Sequence, residues 1–304
     1  MKVIFISVLL YCVTLQSAIY DCFTFYNELE LLKLRLEELY DVVDYFVLTE
    51  GKTSFTGNPK PLYFAENEKE FEKYKDKIIH LVVQDFPTLT GDKNTDHWNR
   101  EIHSRDYLMQ VLKNCQEDDI IFISDLDEIP RATCVVEIEK YLKGITEVRN
   151  QNSRRWCKRG PKNNDFVCGL SMRLFSLYMN REYPVTWDGG SKAVPFWFLQ
   201  KFTPWEIKIF HNTYKDIQMF KNAGWHFNGM GGEKRVLQKW QNCQPVVGIE
   251  EYLESLENDE QLLKEKIKST RDSLTFRVEI DETYPKYFLD NIEYFRLIGW
   301  LDEE

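Results

Sequence analysis

Residues 118–130 read DDIIFISDLDEIP, and their reading decides the fold. Ile120, Ile121, Phe122 and Ile123 form a run too short and too β-branched for a helix, which predicts a strand buried on both faces. Pro130 suits the first turn of a following helix, where a proline forfeits no hydrogen bond. Asp125, Asp127 and Glu128 then stand at the carboxyl end of an internal strand, the edge of an open α/β sheet where ligands bind. Acids this close repel one another unless a cation neutralises them, so the stretch is a candidate metal site. Capping of the following helix is the plainer alternative.

The segments around this strand fall into alternating periods. IYDCFTFY (19–26) alternates as a strand, and Asn27 with Glu30 predicts a capping box for a helix whose Leu29, Leu32, Leu36 and Leu39 share one stripe. DYFVLTE (44–50) is a second strand ending at Glu50 and Gly51. A polar loop with Gly57 and Pro59 follows, then a charged helical stretch around 66–75 and the strand IIHLVV (78–83). HWNREIHSRDYLMQVLK (97–113) reads as the helix before the opening strand. This alternation predicts an α/β fold with a mostly parallel central sheet covered by helices. From Cys157 to about Asn242 the pattern loosens, and tryptophans gather at 187, 197, 205, 225 and 240. Charged helical patterning returns in 245–304, including GIEEYLESLENDEQLLKEKI. The expected organisation is a leader at 1–18, a catalytic domain at 19–244 and a helical extension at 245–304 packed on it.

The chain has 304 residues and a formal net charge of −10. That sign excludes a nucleic-acid coat but not a nucleotide ligand screened by a divalent cation. MKVIFISVLLYCVTLQSA (1–18) carries Lys2, an apolar stretch from Val3 to Leu15 and small residues after it. It reads as a secretory signal cleaved near Ala18 or as a short membrane anchor, with a buried first strand as the other reading. Beyond it stand Cys22, Cys115, Cys134, Cys157, Cys168 and Cys243, an even set that permits disulfides. Cys157 and Cys168 bracket a polar loop and are the pair expected first. No Cys/His spacing suits a structural zinc. There is no Asn-x-Ser/Thr acceptor, which sits uneasily with long residence in a glycosylating lumen.

Arg105 falls on the stripe of Trp98, Ile102, Met109 and Leu112 that should face the core. A buried guanidinium requires an anionic partner, either a protein carboxylate or the phosphate or carboxylate of a ligand. Arg100, one turn earlier, is a second candidate with a plain surface role as its alternative. Glu28 and Glu50 close predicted strands on the same sheet edge as Asp125, Asp127 and Glu128, an acidic crevice suited to hydroxyl-rich ligands and cations. NAGWHFNGMGGEKR (222–235) packs four glycines around Trp225 and His226. The backbone there bends sharply or lies against a ligand; His226 is a candidate metal ligand and Trp225 a face for a sugar or base. SRRWCKRGPKNND (153–165) is a basic run, either a solvated loop or an anion-attracting patch.

YDCFTFYNELELLKLRLEEL (20–39), VLTEGKTSFTGNPKPL (47–62), DLDEIP (125–130) and GWHFNGMGG (224–232), in that order, resemble the β-1,4-mannosyl-glycoprotein 4-β-N-acetylglucosaminyltransferase family, glycosyltransferase family 17. YPKYFLDNIEYF (284–295) is a weaker echo. The resemblance implies a GT-A-like nucleotide-binding domain in which Asp125 and Asp127 hold Mn²⁺ or Mg²⁺ against the diphosphate of a UDP-GlcNAc donor. His226 matches the family's Gly-Trp-His-Phe motif as a further ligand, and Glu28 and Glu50 match acids of its first two motifs. It implies inverting β-1,4 transfer of N-acetylglucosamine to a mannose-containing glycan or glycoprotein in the secretory pathway, in the Golgi or ER lumen or after secretion. Asn228 stands where the family has serine, and the stretch after Trp240 lacks the family pattern, which leaves the acceptor open.

Negative charge develops on the departing diphosphate, where a divalent cation stabilises the transition state more than the ground state. Inversion also needs a base for the acceptor hydroxyl proton, and Glu128 and Asp188, in TWDGG (186–190), are the candidates. Two rival functions stand beside this one. A haloacid-dehalogenase-like phosphatase would use Asp125 as nucleophile, although Ile129 stands where that motif has Thr or Val. A secreted, non-catalytic sugar-binding protein would use the same acids for Ca²⁺.

Overall fold

The computed structural model describes residues 17–151, 163–210, 216–232, 235–236 and 260–303. The leader expected at 1–18, apart from its last two residues, lies outside them, as do Cys157, Trp240, Cys243 and most of the basic run at 153–165.

The first half alternates as its sequence predicts. β1 (Ile19–Thr24), α1 (Leu29–Leu39), β2 (Tyr45–Gly51), α2 (Tyr63–Glu66), β3 (Ile78–Val83), α3 (Lys93–Asp106), α4 (Met109–Leu112) and β4 (Ile120–Asp125) follow in order. β5 (Glu128–Pro130), α5 (Ala132–Gln151), β6 (Cys168–Leu170), β7 (Met172–Ser176), β8 (Tyr178–Trp187) and β9 (Lys192–Pro195) come next. The rest comprises α6 (Phe196–Leu199), α7 (Pro204–Lys208), β10 (Gln218–Phe220), β11 (Gly224–Asn228), α8 (Glu260–Leu274), β12 (Phe276–Arg277), α9 (Lys286–Asp290) and α10 (Ile292–Leu297).

A seven-stranded sheet runs in the order β10-β6-β9-β4-β1-β2-β3. β3, β2, β1 and β4 are parallel, and β9 is antiparallel to both of its neighbours. The α/β class with a mostly parallel, helix-covered sheet is thus borne out. Alternation along β4 explains why its apolar run is continuous. Ile120 and Phe122 enter a core with Leu32, Leu36 and Leu39 of α1, while Ile121 and Ile123 enter a second core with Leu108, Leu112 and Phe198. Burying one such side chain contributes about 1.5–3 kcal/mol, so β4 is the anchor of the domain.

A second, five-stranded sheet, ordered β12-β8-β7-β11-β5, was not visible in the loosened pattern after Cys157. It corrects the reading of Pro130, which ends β5 instead of opening a helix; α5 starts at Ala132. The chain leaves one sheet at Asp125 and enters the other at Glu128. β5 pairs antiparallel with β11, setting His226 opposite Glu128. Gly224 makes that pairing possible: its φ is +153°, and a Cβ there would lie 2.1 Å from the Ile129 carbonyl oxygen.

Other expectations are also revised. Glu28, not Asn27, occupies the N-cap of α1, and no side chain caps it. The stretch around 66–75 is largely 3₁₀-helix, over Glu68–Tyr74. Cys168 is a free, fully buried thiol, against the expected bridge to Cys157. Trp98, expected in the core, is 43% exposed. In the chain's last part, Phe288, Phe295 and Trp300 join the core of α1 and β4. No helix of the described residues is long and apolar enough to cross a membrane.

Candidate functional site

Where the chain crosses between sheets, a cleft of about 730 Å³ opens. One wall is the carboxyl edge of the parallel sheet, with Thr24 ending β1, Phe25, Tyr26 and Glu28 after it, and Thr49, Gly51 and Thr53 along and after β2. The other is the second sheet, with Leu174, Tyr183, Trp187, His226 and Asn228. α3 closes a third side with His97, Trp98, Glu101, Ser104 and Arg105, and Asp125, Leu126 and Asp127 lie at the junction.

A residue not singled out from the sequence fixes that junction. Arg35, on the apolar side of α1, is fully buried and forms a bidentate pair with Asp21 of β1, at 2.7 and 2.6 Å. Its Nη1 donates to the backbone carbonyls of Asp125, Leu126 and Glu128 at 2.9, 3.1 and 2.9 Å. Five N–H donors in a rigid fork suit a guanidinium to this task, and lysine could not reproduce it. The leucine periodicity of α1 concealed it, because Arg35 lies between Leu34 and Leu36 on a helix buried on several sides.

The three acids of the motif take three different roles. Asp125 Oδ1 accepts from Arg105 at 2.6 Å, and Oδ2 lies 3.0 Å from Lys208. Desolvation would raise the Asp125 pKa, but the Lys208 ammonium and the Arg105 guanidinium outweigh it and hold the group well below the usual carboxylate range. Asp127 lines the cleft with Oδ1 3.5 Å from His226 Nε2. His226 Nδ1 is buried and has no hydrogen-bond partner among the described residues. Glu128 is fully buried and does not line the cleft; it accepts from Trp187 Nε1 at 2.7 Å and Ser191 Oγ at 3.0 Å, and it pairs with Lys208. Gly190 leaves room for this network, since a Cβ there would sit 2.1 Å from Glu128 Oε1.

The remaining candidates divide. Arg105 is 1% exposed, donates to the Ser124 carbonyl at 3.0 Å and still lines the cleft, with Asp125 as its nearest anionic partner within the protein and Glu101 farther off at 3.5 Å. Glu28 reaches the cleft. Glu50 lies behind the wall, accepting from the Phe64 amide at 3.2 Å and pairing with Lys60 and His80. Arg100 supports the loop after β2 by donating to the Phe55 carbonyl at 3.1 Å. Trp225 is 1% exposed, with Nε1 donating to the Thr283 carbonyl and Arg131 over its ring, so it offers no face to a ligand. Asp188 is exposed and outside the cleft lining.

No group of three or more His, Cys, Asp or Glu is arranged around a common centre among the described residues. Asp127 and His226 do converge, and a cation that shares its shell with phosphate oxygens and water requires only one or two protein ligands. These two residues fit such an ion. Asp125, expected as a ligand, has its oxygens turned to Arg105 and Lys208 instead.

Lys192 lies next to this cluster, fully buried and donating to the Gly189 and Gly190 carbonyls at 3.2 and 2.7 Å. Desolvation first, and Lys208 second, lower its pKa to about 8. Between that value and the usual lysine pKa the unfolded chain holds a proton that the native one has released, so this residue makes stability rise with pH there. Below the folded pKa its cost is fully present. Denaturation of wild type and Lys192→Met from pH 7.5 to 10 is expected to show wild type gaining up to about 3 kcal/mol relative to the variant. Parallel curves would contradict it.

Residues 12–154 match glycosyltransferase family 17. The resemblance read from the sequence is borne out, and the matched segment carries the first four parallel strands, α3 and the Asp125–Asp127 junction. The chain is similar to the β-1,4-mannosyl-glycoprotein 4-β-N-acetylglucosaminyltransferases of Homo sapiens, Rattus norvegicus and Mus musculus, at 35% identity over 127 residues in each case. That similarity covers 40% of this chain and 23% of each relative, so the chain spans about a quarter of the relatives' length. A mannosyltransferase from Pyrobaculum calidifontis, solved with GDP-Man and Mn²⁺, aligns with 62% of this chain and 47% of its own at 11% identity and a TM-score of 0.36. A glucosyl-3-phosphoglycerate synthase from M. tuberculosis aligns with 69% and 72% at 12% identity and 0.32. Overlaps of that size add no detail to the cleft.

Proposed function

We propose that the chain is a metal-dependent, inverting glycosyltransferase with a GT-A-like nucleotide-binding domain, moving N-acetylglucosamine or a related sugar from a UDP-sugar to a mannose-containing glycan in β-1,4 linkage. The observation that carries the reading is the meeting of Asp127 and His226 in a cleft beside the carboxyl edge of a parallel sheet. The family-17 match and the names of the relatives support the class of reaction. In this reading the nucleoside lies over the ends of β1 and β2, along Thr24, Tyr26, Thr49 and Gly51. Asp127 and His226 would hold Mn²⁺ or Mg²⁺, which when bound supplies positive charge to the leaving diphosphate. Arg105 and Lys208, fixed by Asp125, bring further positive charge to the same floor. The setting is the secretory pathway, and the partners are a nucleotide-sugar donor and a glycan. A phosphatase is less well supported, because Asp125, its nucleophile, is held by two cations.

The test is a panel of nucleotide sugars offered with Mn²⁺. UDP-GlcNAc at saturation is expected to raise the melting temperature by on the order of 5 °C, and mass spectrometry should detect transfer to a mannoside-terminated glycan. No stabilisation by any member, with glycan binding intact, would favour a sugar-binding protein instead.

A further inference from the structure

The face that α3 turns to the cleft is graded from rim to floor. Trp98, Glu101 and Arg105 stand at successive turns, about 4.5 and 6 Å apart along the axis. Their exposure falls inward, from 43% for Trp98 to 18% for the Glu101 side chain and 1% for Arg105. Among the described residues, Trp98 is the one large exposed apolar side chain that also lines the cleft. Its ring is fixed against His97 at 5.6 Å and Trp205 at 5.9 Å, which leaves a rigid apolar face on which a pyranose can stack.

The acids of the cleft sort by what already holds them. Asp125 is committed to Arg105 and Lys208, and Asp127 stands against His226. Glu28 lies at the end of β1 and accepts from the Asn27 amide. Glu101 makes two long contacts, 3.5 Å to His97 Nε2 and 3.5 Å to Arg105 Nη2. Its carboxylate lies one turn above the cationic floor, on the same face as the exposed tryptophan.

Resting on the transferase reading, we propose that this face of α3 is the acceptor station: the acceptor sugar stacks on Trp98, and Glu101 is the catalytic base. The acceptor hydroxyl oxygen forms its bond to the anomeric carbon as its proton passes to the Glu101 carboxylate. The bond from that carbon to the diphosphate breaks, and its electron pair leaves with the phosphate oxygen. His97 and Arg105 orient the carboxylate.

The test compares full-length wild type with Glu101→Gln and Trp98→Ala, using UDP-GlcNAc, Mn²⁺ and two mannoside acceptors, one with the reacting hydroxyl replaced by a thiol. Glu101→Gln is expected to lose roughly 10²–10⁴-fold in transfer to the hydroxyl acceptor while keeping the melting shift given by UDP-GlcNAc. Transfer to the thiol, which ionises without a base, is expected to stay within about tenfold of wild type. Trp98→Ala is expected to raise the acceptor KM by roughly tenfold or more with the donor KM unchanged. A wild type that turns over no nucleotide sugar overturns the transferase reading and this assignment together. An active wild type whose Glu101→Gln variant loses both acceptors equally, or loses neither, overturns Glu101 alone. An unchanged acceptor KM in Trp98→Ala overturns the stacking surface.

Discussion

Asp127→Ala is expected to lower sugar transfer by roughly 10³-fold, because the cation's contribution to the leaving group amounts to several kcal/mol and each 1.36 kcal/mol is a factor of ten. The fold should survive the change. The Asp127 backbone carbonyl, which accepts from the Phe227 amide at 2.8 Å, is untouched by it, and Arg35 holds the neighbouring carbonyls in either case. Circular dichroism and the melting temperature without ligand should match wild type, while the Mn²⁺-dependent part of the UDP-GlcNAc shift disappears. Asp125→Ala should behave differently. It releases Arg105 and Lys208 from their shared carboxylate, so it should cost stability as well as activity. Full activity of Asp127→Ala in the presence of a chelator would remove the metal from the account.

Arg35→Met is expected to give the largest loss of stability, about 3–5 kcal/mol, because Asp21 would keep a buried charge with no counter-ion. Three carbonyls at the sheet junction would lose their donor as well. Against a total of roughly 5–15 kcal/mol this endangers folding at 37 °C. The double variant Arg35→Met with Asp21→Leu should recover much of the loss, since a buried ion pair replaced as a unit is often neutral. Lys73→Ala, removing a half-exposed partner of Glu37, should cost no more than about 1 kcal/mol. Urea denaturation of the four proteins decides this. A loss below about 1 kcal/mol for Arg35→Met would mean that the junction is held by packing alone.

The legible part of the fold is the part with a strong period. β1, β2, β3 and β4 announce themselves as short runs rich in β-branched and aromatic residues, β4 most plainly because it is buried on both faces, and α1 between the first two carries a leucine stripe. The second sheet was hidden for a physical reason. β8 spans Tyr178–Trp187 with its last residues mostly exposed, and β5, although buried, is only three residues long, so neither carries a readable alternation. Pro130 misled for a related reason: it ends a strand facing Gly224, where a missing N–H costs little.

Within the site, residue type was legible but direction was not. Asp125, Asp127 and Glu128 read as one acidic group, yet the crossing between sheets separates them into an ion pair with basic residues, a cleft carboxylate and a buried acceptor for Trp187. The Gly-Trp-His stretch could not tell which ring meets the ligand, since alternation along β11 turns Trp225 inward and His226 to the cleft. Arg105 was flagged because a cation on an apolar stripe breaks a pattern, while Arg35 breaks the same pattern and passed unnoticed among leucines.

The pairing of Asp125 with Arg105 and Lys208 bears on the order in which ligands arrive. In the transferase reading, an incoming Mn²⁺ would meet the attraction of the Asp127 carboxylate alone where that of two aspartates was anticipated, and nearby guanidinium and ammonium groups would oppose it. Cation affinity grows with the number of charged ligands, so in this reading the protein without nucleotide would hold the ion weakly. The nucleotide's own phosphates would then complete the shell, and metal and donor would enter as one package.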